Sequence, residues 1–149
     1  MISKILVSID GSKTSHKAAK YAVELAKQTG ASMILLSVFD IRFIVDQEIS
    51  ASASPTHLKE SVEDYLKQSA QSATDEIARV CERNRIQYNV AIKKGHPVEE
   101  ILKEATKSKA DLIVMGSHGK SALKAAMLGS VTYGVIHKDS KIPILIVKR

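Results

Sequence analysis

The chain has 149 residues, 44% of them hydrophobic and 26% charged, with seven glycines and three prolines. That composition excludes collagenous, low-complexity and acidic disordered chains, and one domain spanning residues 1–149 is expected to bury roughly 70% of its unfolded surface. The net charge is +6, but the lysines are scattered and aromatic residues for base stacking are few, so nucleic acid is not an expected partner.

The first ten residues lack the apolar run and small-residue cleavage site of a secretory leader. Ile5-Leu6-Val7-Ser8-Ile9 is short, β-branched and stopped by Asp10-Gly11-Ser12, which predicts a buried strand and a turn. Ser12 is placed to cap a helix carrying Ala18, Ala22, Leu25 and Ala26, and Gly30 to end it. Met33 to Phe39 reads as a second buried strand. Residues 40 to 54 show no period, and a connection of that length is uncommon in a compact domain. Val62, Leu66, Ala70, Ala73, Ile77 and Val80 then mark one stripe of a helix from about 56 to 84. Cys81 extends that stripe as a core residue. As a lone cysteine it makes no internal disulfide, which fits a reducing cytoplasm, the expected compartment.

Tyr88, Val90 and Ile92 alternate with polar or small residues, predicting a half-exposed edge strand. Gly95-His96-Pro97 turns into a helix, with His96 as its expected cap and Pro97 at its first position. Asp111 to Met115 is a fourth, buried strand, and a short helix bearing Val131, Val135 and Ile136 precedes the last strand, Ile142 to Val147. Pro143 donates no ladder bond and puts that strand at an edge. The six-residue run also falls far short of a membrane span, so no membrane partner is expected.

Strands alternating with helices predict an α/β fold, an open five-stranded parallel sheet with helices on both faces. Ligands of such sheets bind beyond the carboxyl ends of the strands, where the strand order reverses. The expected reversal lies between strands one and four, at Asp10 and the segment after Met115. There Gly116-Ser117-His118-Gly119 is followed by Gly129-Ser130-Val131-Thr132, a G-x2-G-x9-G-S spacing. Gly116 and Gly119 let backbone N–H groups approach an anion, and Gly129 and Ser130 offer a helix N-terminus. Together they describe a cradle for a di- or triphosphate. Two better-known phosphate motifs fail. A Walker A loop needs glycine at Val114, and the dinucleotide fingerprint needs three glycines after strand one, where only Gly11 stands. Five scattered histidines and one cysteine show no metal-ligand spacing.

These segments resemble the universal stress protein family, over the whole chain. The resemblance rests on Val7-Ser8-Ile9-Asp10-Gly11-Ser12, on Asp111 to Gly119 with Leu128-Gly129-Ser130-Val131, and on Ile142 to Val147. It implies a Rossmann-like ATP-binding domain acting as a nucleotide-dependent stress or signalling module, and a homodimer joined through residues 142–148. Carried over by position, Ser8, Ile9 and Asp10 line the adenosine side and Val38 meets the adenine. Met115 and Gly116 flank the ribose and α-phosphate, and His118, Gly119, Gly129, Ser130, Val131 and Thr132 surround the phosphates. His118 is expected as a solvent-exposed phosphate neighbour, with no residue nearby in sequence to make it a general base. No catalytic residue is assigned. Mg2+ is a natural companion of ATP, but no all-protein site for it is identified. A slow ATPase or nucleotide-transferring enzyme on the same fold, and a scaffold dimer without nucleotide, are the alternative readings. The chain departs from the family at Ser8, where related sequences often carry proline. It departs again at Gly134, a glycine expected to loosen the last helix.

Overall fold

The computed structural model describes residues 1–41, 55–119, 128–138 and 140–149. Its elements in chain order are β1 (Lys4–Ser8), α1 (Lys13–Thr29), β2 (Ser32–Phe39), α2 (Pro55–Arg83), β3 (Tyr88–Lys94), α3 (Pro97–Ser108), β4 (Leu112–Gly116), α4 (Ser130–His137) and β5 (Ile144–Val147). The non-periodic stretch read over residues 40 to 54 lies outside the described residues from residue 42 on.

The five strands are parallel, in the order β3-β2-β1-β4-β5. The strands read as apolar throughout, β1, β2 and β4, are central, and the alternating strand and the proline-bearing strand are the edges. Pro143 falls just before β5 rather than within it, and its carbonyl accepts from Ile113 N at 3.0 Å. Its missing N–H also faces β4, but at a position just before the strand it interrupts no bond within the ladder.

Side chains alternate across the sheet. Ile5, Val7, Met33, Leu35 and Val114 pack under α1 and α2 with Ala18, Ala22, Ile77 and Cys81. Leu6, Ile34, Leu36, Ile113 and Met115 pack against α3 and α4 with Val98, Ile101, Ala105 and Val135. Each large aliphatic side chain so buried contributes about 1.5–3 kcal/mol. Cys81 is fully buried, and that burial pushes its thiol up to about 11, so it is an inert core group as the stripe implied.

Helix ends follow local chemistry. Ser12 Oγ accepts from Ser15 N at 3.1 Å at the start of α1, and Gly30, at φ +74°, closes it with its N–H on Ala26 O. That left-handed cap costs a glycine least. His96 occupies the cap position of α3, but its side chain makes no capping bond; Pro97 opens the helix without one. The capping role expected of His96 is therefore corrected. Gly134 does not act through flexibility alone. A Cβ there would stand 2.6 Å from Val98 Cγ2, so the glycine lets α4 lie close on α3.

Candidate functional site

The strand order reverses between β1 and β4, and their carboxyl ends carry the segments singled out in the sequence. Gly11, at φ +80°, turns the chain from β1 into α1. Asp10 Oδ1 accepts from Ser12 N at 2.8 Å, and Asp10 N donates to Ser15 Oγ. The carboxylate is thus held at the mouth of the turn and remains exposed. Beyond β4, Ser117 N donates to Val147 O, and Ser117 O accepts from Gly129 N at 2.8 Å. The two glycine segments are therefore in contact. A Cβ on Gly129 would lie 3.2 Å from Gly119 N, and one on Gly119 would lie 2.8 Å from Asp10 Oδ2. Backbone from three separate junctions crowds here because side chains are withheld.

A slot of about 100 Å³ opens among these segments. Of the twelve residues expected around a ligand, ten line it: Ser8, Ile9 and Asp10 after β1, Val38 on β2, Met115, Gly116, His118 and Gly119 after β4, and Val131 and Thr132 on α4. Gly129 and Ser130 stand outside the slot. Ser130 is exposed at the start of α4, whose first-turn amides have no capping side chain. Ser15, Pro97 and Ile101 also line the slot and were missed as site residues. A signal for Pro97 was present, since in a parallel sheet every strand-to-helix junction lies on the same rim.

Two expectations need correction, those for His118 and Gly129, and Thr132 carries a bond that the sequence did not show. His118 is buried, 6% exposed, rather than facing solvent. Its Nδ1 lies 2.6 Å from the buried Ser117 Oγ, and its Nε2 has no partner among the described residues. The immediately preceding residue, Ser117, therefore does orient the imidazole. Thr132 is committed as well: its hydroxyl donates to Gly116 O at 2.9 Å and pins α4 to the end of β4. Gly129 is not a free amide donor, because its N–H is spent on Ser117 O.

The slot's walls are mostly apolar, with Ile9, Val38, Pro97, Ile101, Met115 and Val131, and Ser8, Asp10, Ser15, His118 and Thr132 are its polar lining residues. Its volume of about 100 Å³ is below the ~300–1,000 Å³ of sites that enclose a whole ligand. Among the described residues no group of three or more His, Cys, Asp or Glu is placed to hold a metal ion. No described helix is long and apolar enough to cross a membrane.

An open, parallel α/β sheet with a slot at its topological switch point defines the class of fold. Within that class the chain belongs to the universal stress protein family, whose family model matches residues 1–148. It is 37% identical to the universal stress protein MJ0577 of Methanocaldococcus jannaschii, covering 100% of this chain and 96% of that one. The solved MJ0577 structure superposes with a TM-score of 0.84 at 36% identity, over 100% of this chain and 97% of that one. YxiE of Bacillus subtilis is 33% identical, over 99% of this chain and 100% of its own. An Arabidopsis thaliana family member solved with AMP bound shares the fold at 19% identity, with a TM-score of 0.69 over 99% and 92% of the two chains.

Proposed function

We propose that this protein binds ATP at the switch point and acts as a nucleotide-dependent stress or signalling module. The reading rests on one observation above all, the convergence of ten expected residues on a single slot. The AMP carried by the Arabidopsis relative supports a nucleotide as the ligand class. A flat, largely apolar base suits the space between Val38, Met115, Pro97 and Ile101. The Asp10 carboxylate is an acceptor for ribose hydroxyls, and its Oδ2 lies toward Gly119. The phosphates then run along the glycine segments to the open amides of α4, where helix dipole and N–H groups favour negative charge. Gly116, Gly119 and Gly129 let the segments that would line this path approach one another closely, since a Cβ would stand 2.8 Å from Thr14 Cγ2, 2.8 Å from Asp10 Oδ2 and 3.2 Å from Gly119 N respectively.

Holding is favoured over turnover. Asp10 is the carboxylate among the residues lining the slot, and it belongs to the ribose side with one oxygen already on Ser12 N. Hydrolysis needs a group that orients water beside the γ-phosphate, and no such carboxylate stands by α4 among the described residues.

The proposal includes an isologous homodimer through the segment 142–148. All four residues of β5 are only partly buried, and its outer edge has no neighbouring strand. A bare apolar edge is a pairing surface that a second copy would cover.

The deciding experiment is to heat the purified, desalted protein and identify released small molecules, then titrate the ligand-free protein with ATP by calorimetry. An adenine nucleotide in the supernatant and saturable ATP binding are expected. Failure of both would overturn the reading.

A further inference from the structure

A second depression lies on the other side of Gly119, toward α1. It has a volume of about 650 Å³ and is lined by Gly11, Ser12, Lys13, Thr14, Lys17, Gly119 and Arg149. We infer that this cleft is a binding site for a phosphate-class oxyanion, separate from the slot and built on the N-terminus of α1.

Three features converge. The first is the unspent end of α1. Ser15 N is taken by Ser12 Oγ and His16 N by Ser12 O, which leaves the amides of Lys13 and Thr14 facing outward. The first turn holds no acidic side chain to neutralise the dipole. The second feature is Thr14. It is only 8% exposed, and its methyl carbon is the atom that a Cβ on Gly116 would meet at 2.8 Å. Its hydroxyl, with no hydrogen-bond partner among the described residues, is left to the cleft that Thr14 lines. The third is charge. Lys17 Nζ is tethered to Lys148 O at 3.0 Å, so it is fixed at the cleft with two further N–H donors. Lys13 and Arg149 complete a cationic wall. Asp10 is the opposing charge nearby, and Ser12 N already engages one of its oxygens. Amides, a hydroxyl and cationic side chains, with no acidic side chain in the lining, are the donor set of phosphate sites.

The test uses the full chain and pyrophosphate as probe, followed by amide NMR shifts and calorimetry at low salt. Saturable binding that shifts Lys13, Thr14 and Gly119 amides is expected. Lys17→Gln and Thr14→Val should each weaken it, Lys17→Gln by about tenfold because it removes a charge-assisted contact. Non-saturable binding, shifts confined to residues 130–132, or unchanged affinity in both variants would overturn the site. Adenosine, which has no phosphate, separates this proposal from the nucleotide reading. Pyrophosphate binding should persist whether or not adenosine binds. ATP then identifies the source of the anion. Displacement of pyrophosphate by ATP but not by adenosine would overturn a site separate from the slot, because the cleft would then hold the nucleotide's own phosphates. Simultaneous binding means that it takes a free anion.

Discussion

The two ends of the same sheet are built on opposite rules. At the amino-terminal end, Asp111 Oδ2 accepts from Ser3 N at 2.9 Å, Ser3 Oγ at 2.8 Å and Lys4 N at 2.9 Å. Asp111 N returns to Lys4 O, and Lys4 Nζ reaches Ser108 O. That rim is stitched shut. At the carboxyl end, three glycines withhold side chains and His118 Nε2 is buried without a partner among the described residues. The amino-terminal rim closes on hydrogen bonds to one carboxylate, whereas the carboxyl rim closes on backbone segments brought together at glycines and leaves a slot between them.

The largest expected effect comes from filling the open end. Gly119→Val puts a branched Cβ against Asp10 Oδ2 and across the proposed phosphate path. ATP affinity should fall by more than about a hundredfold, a loss near 2.7 kcal/mol, with the circular dichroism spectrum retained. Retained affinity by calorimetry would remove the distinction between the two ends.

Next is the edge that flanks the open rim. Ile144→Lys places a charge on the half-buried outer strand, where repulsion between paired copies should give a monomer by light scattering. An unchanged dimer would place the proposed interface elsewhere.

Gly134→Ala probes the helix that carries the open amides. Overpacking against Val98 should cost about 1–3 kcal/mol, partly offset by about 1 kcal/mol of helix propensity. Combining it with Val98→Ala should restore the thermal midpoint lost in the single variant. A single variant as stable as the parent would show that α4 shifts freely.

The smallest effect belongs to the closed end and is read against pH. Hydrogen bonds from Ser3 and Lys4 hold the Asp111 carboxyl below its ordinary value. A carboxylate whose folded pKa is depressed stabilises the fold above its unfolded value of ~3.9, and the contribution disappears as pH falls through the folded value. Asp111→Asn should therefore be less stable than the parent at pH 7, and chemical denaturation should show that gap closing below about pH 4. A gap independent of pH would mean that the carboxylate's charge has no part in the closure.

Much of this was legible in the sequence because it is local. Apolar runs of strand length, the proline before β5 and the alternation in β3 identify central and edge strands from a few residues each. Glycine spacing and strand ends place Asp10, Gly116 and Gly119 at the switch point for the same reason. Ser12 and Gly30 announce the ends of α1 within one turn of chain. The remainder depended on which distant segments meet. The Thr132 hydroxyl and Gly116 carbonyl are 16 residues apart, and Asp111 and Ser3 are 108 apart. Gly134 looks like a weak helix residue until Val98 is beside it. His118, read alone on a glycine-rich loop, belongs in solvent; Ser117, held by Val147 O and Gly129 N, positions the loop with its ring buried. Hydrophobic periodicity specifies the face a residue presents, whereas burial and hydrogen-bond partners are set only when sheet order and helix packing bring remote groups within about 3 Å.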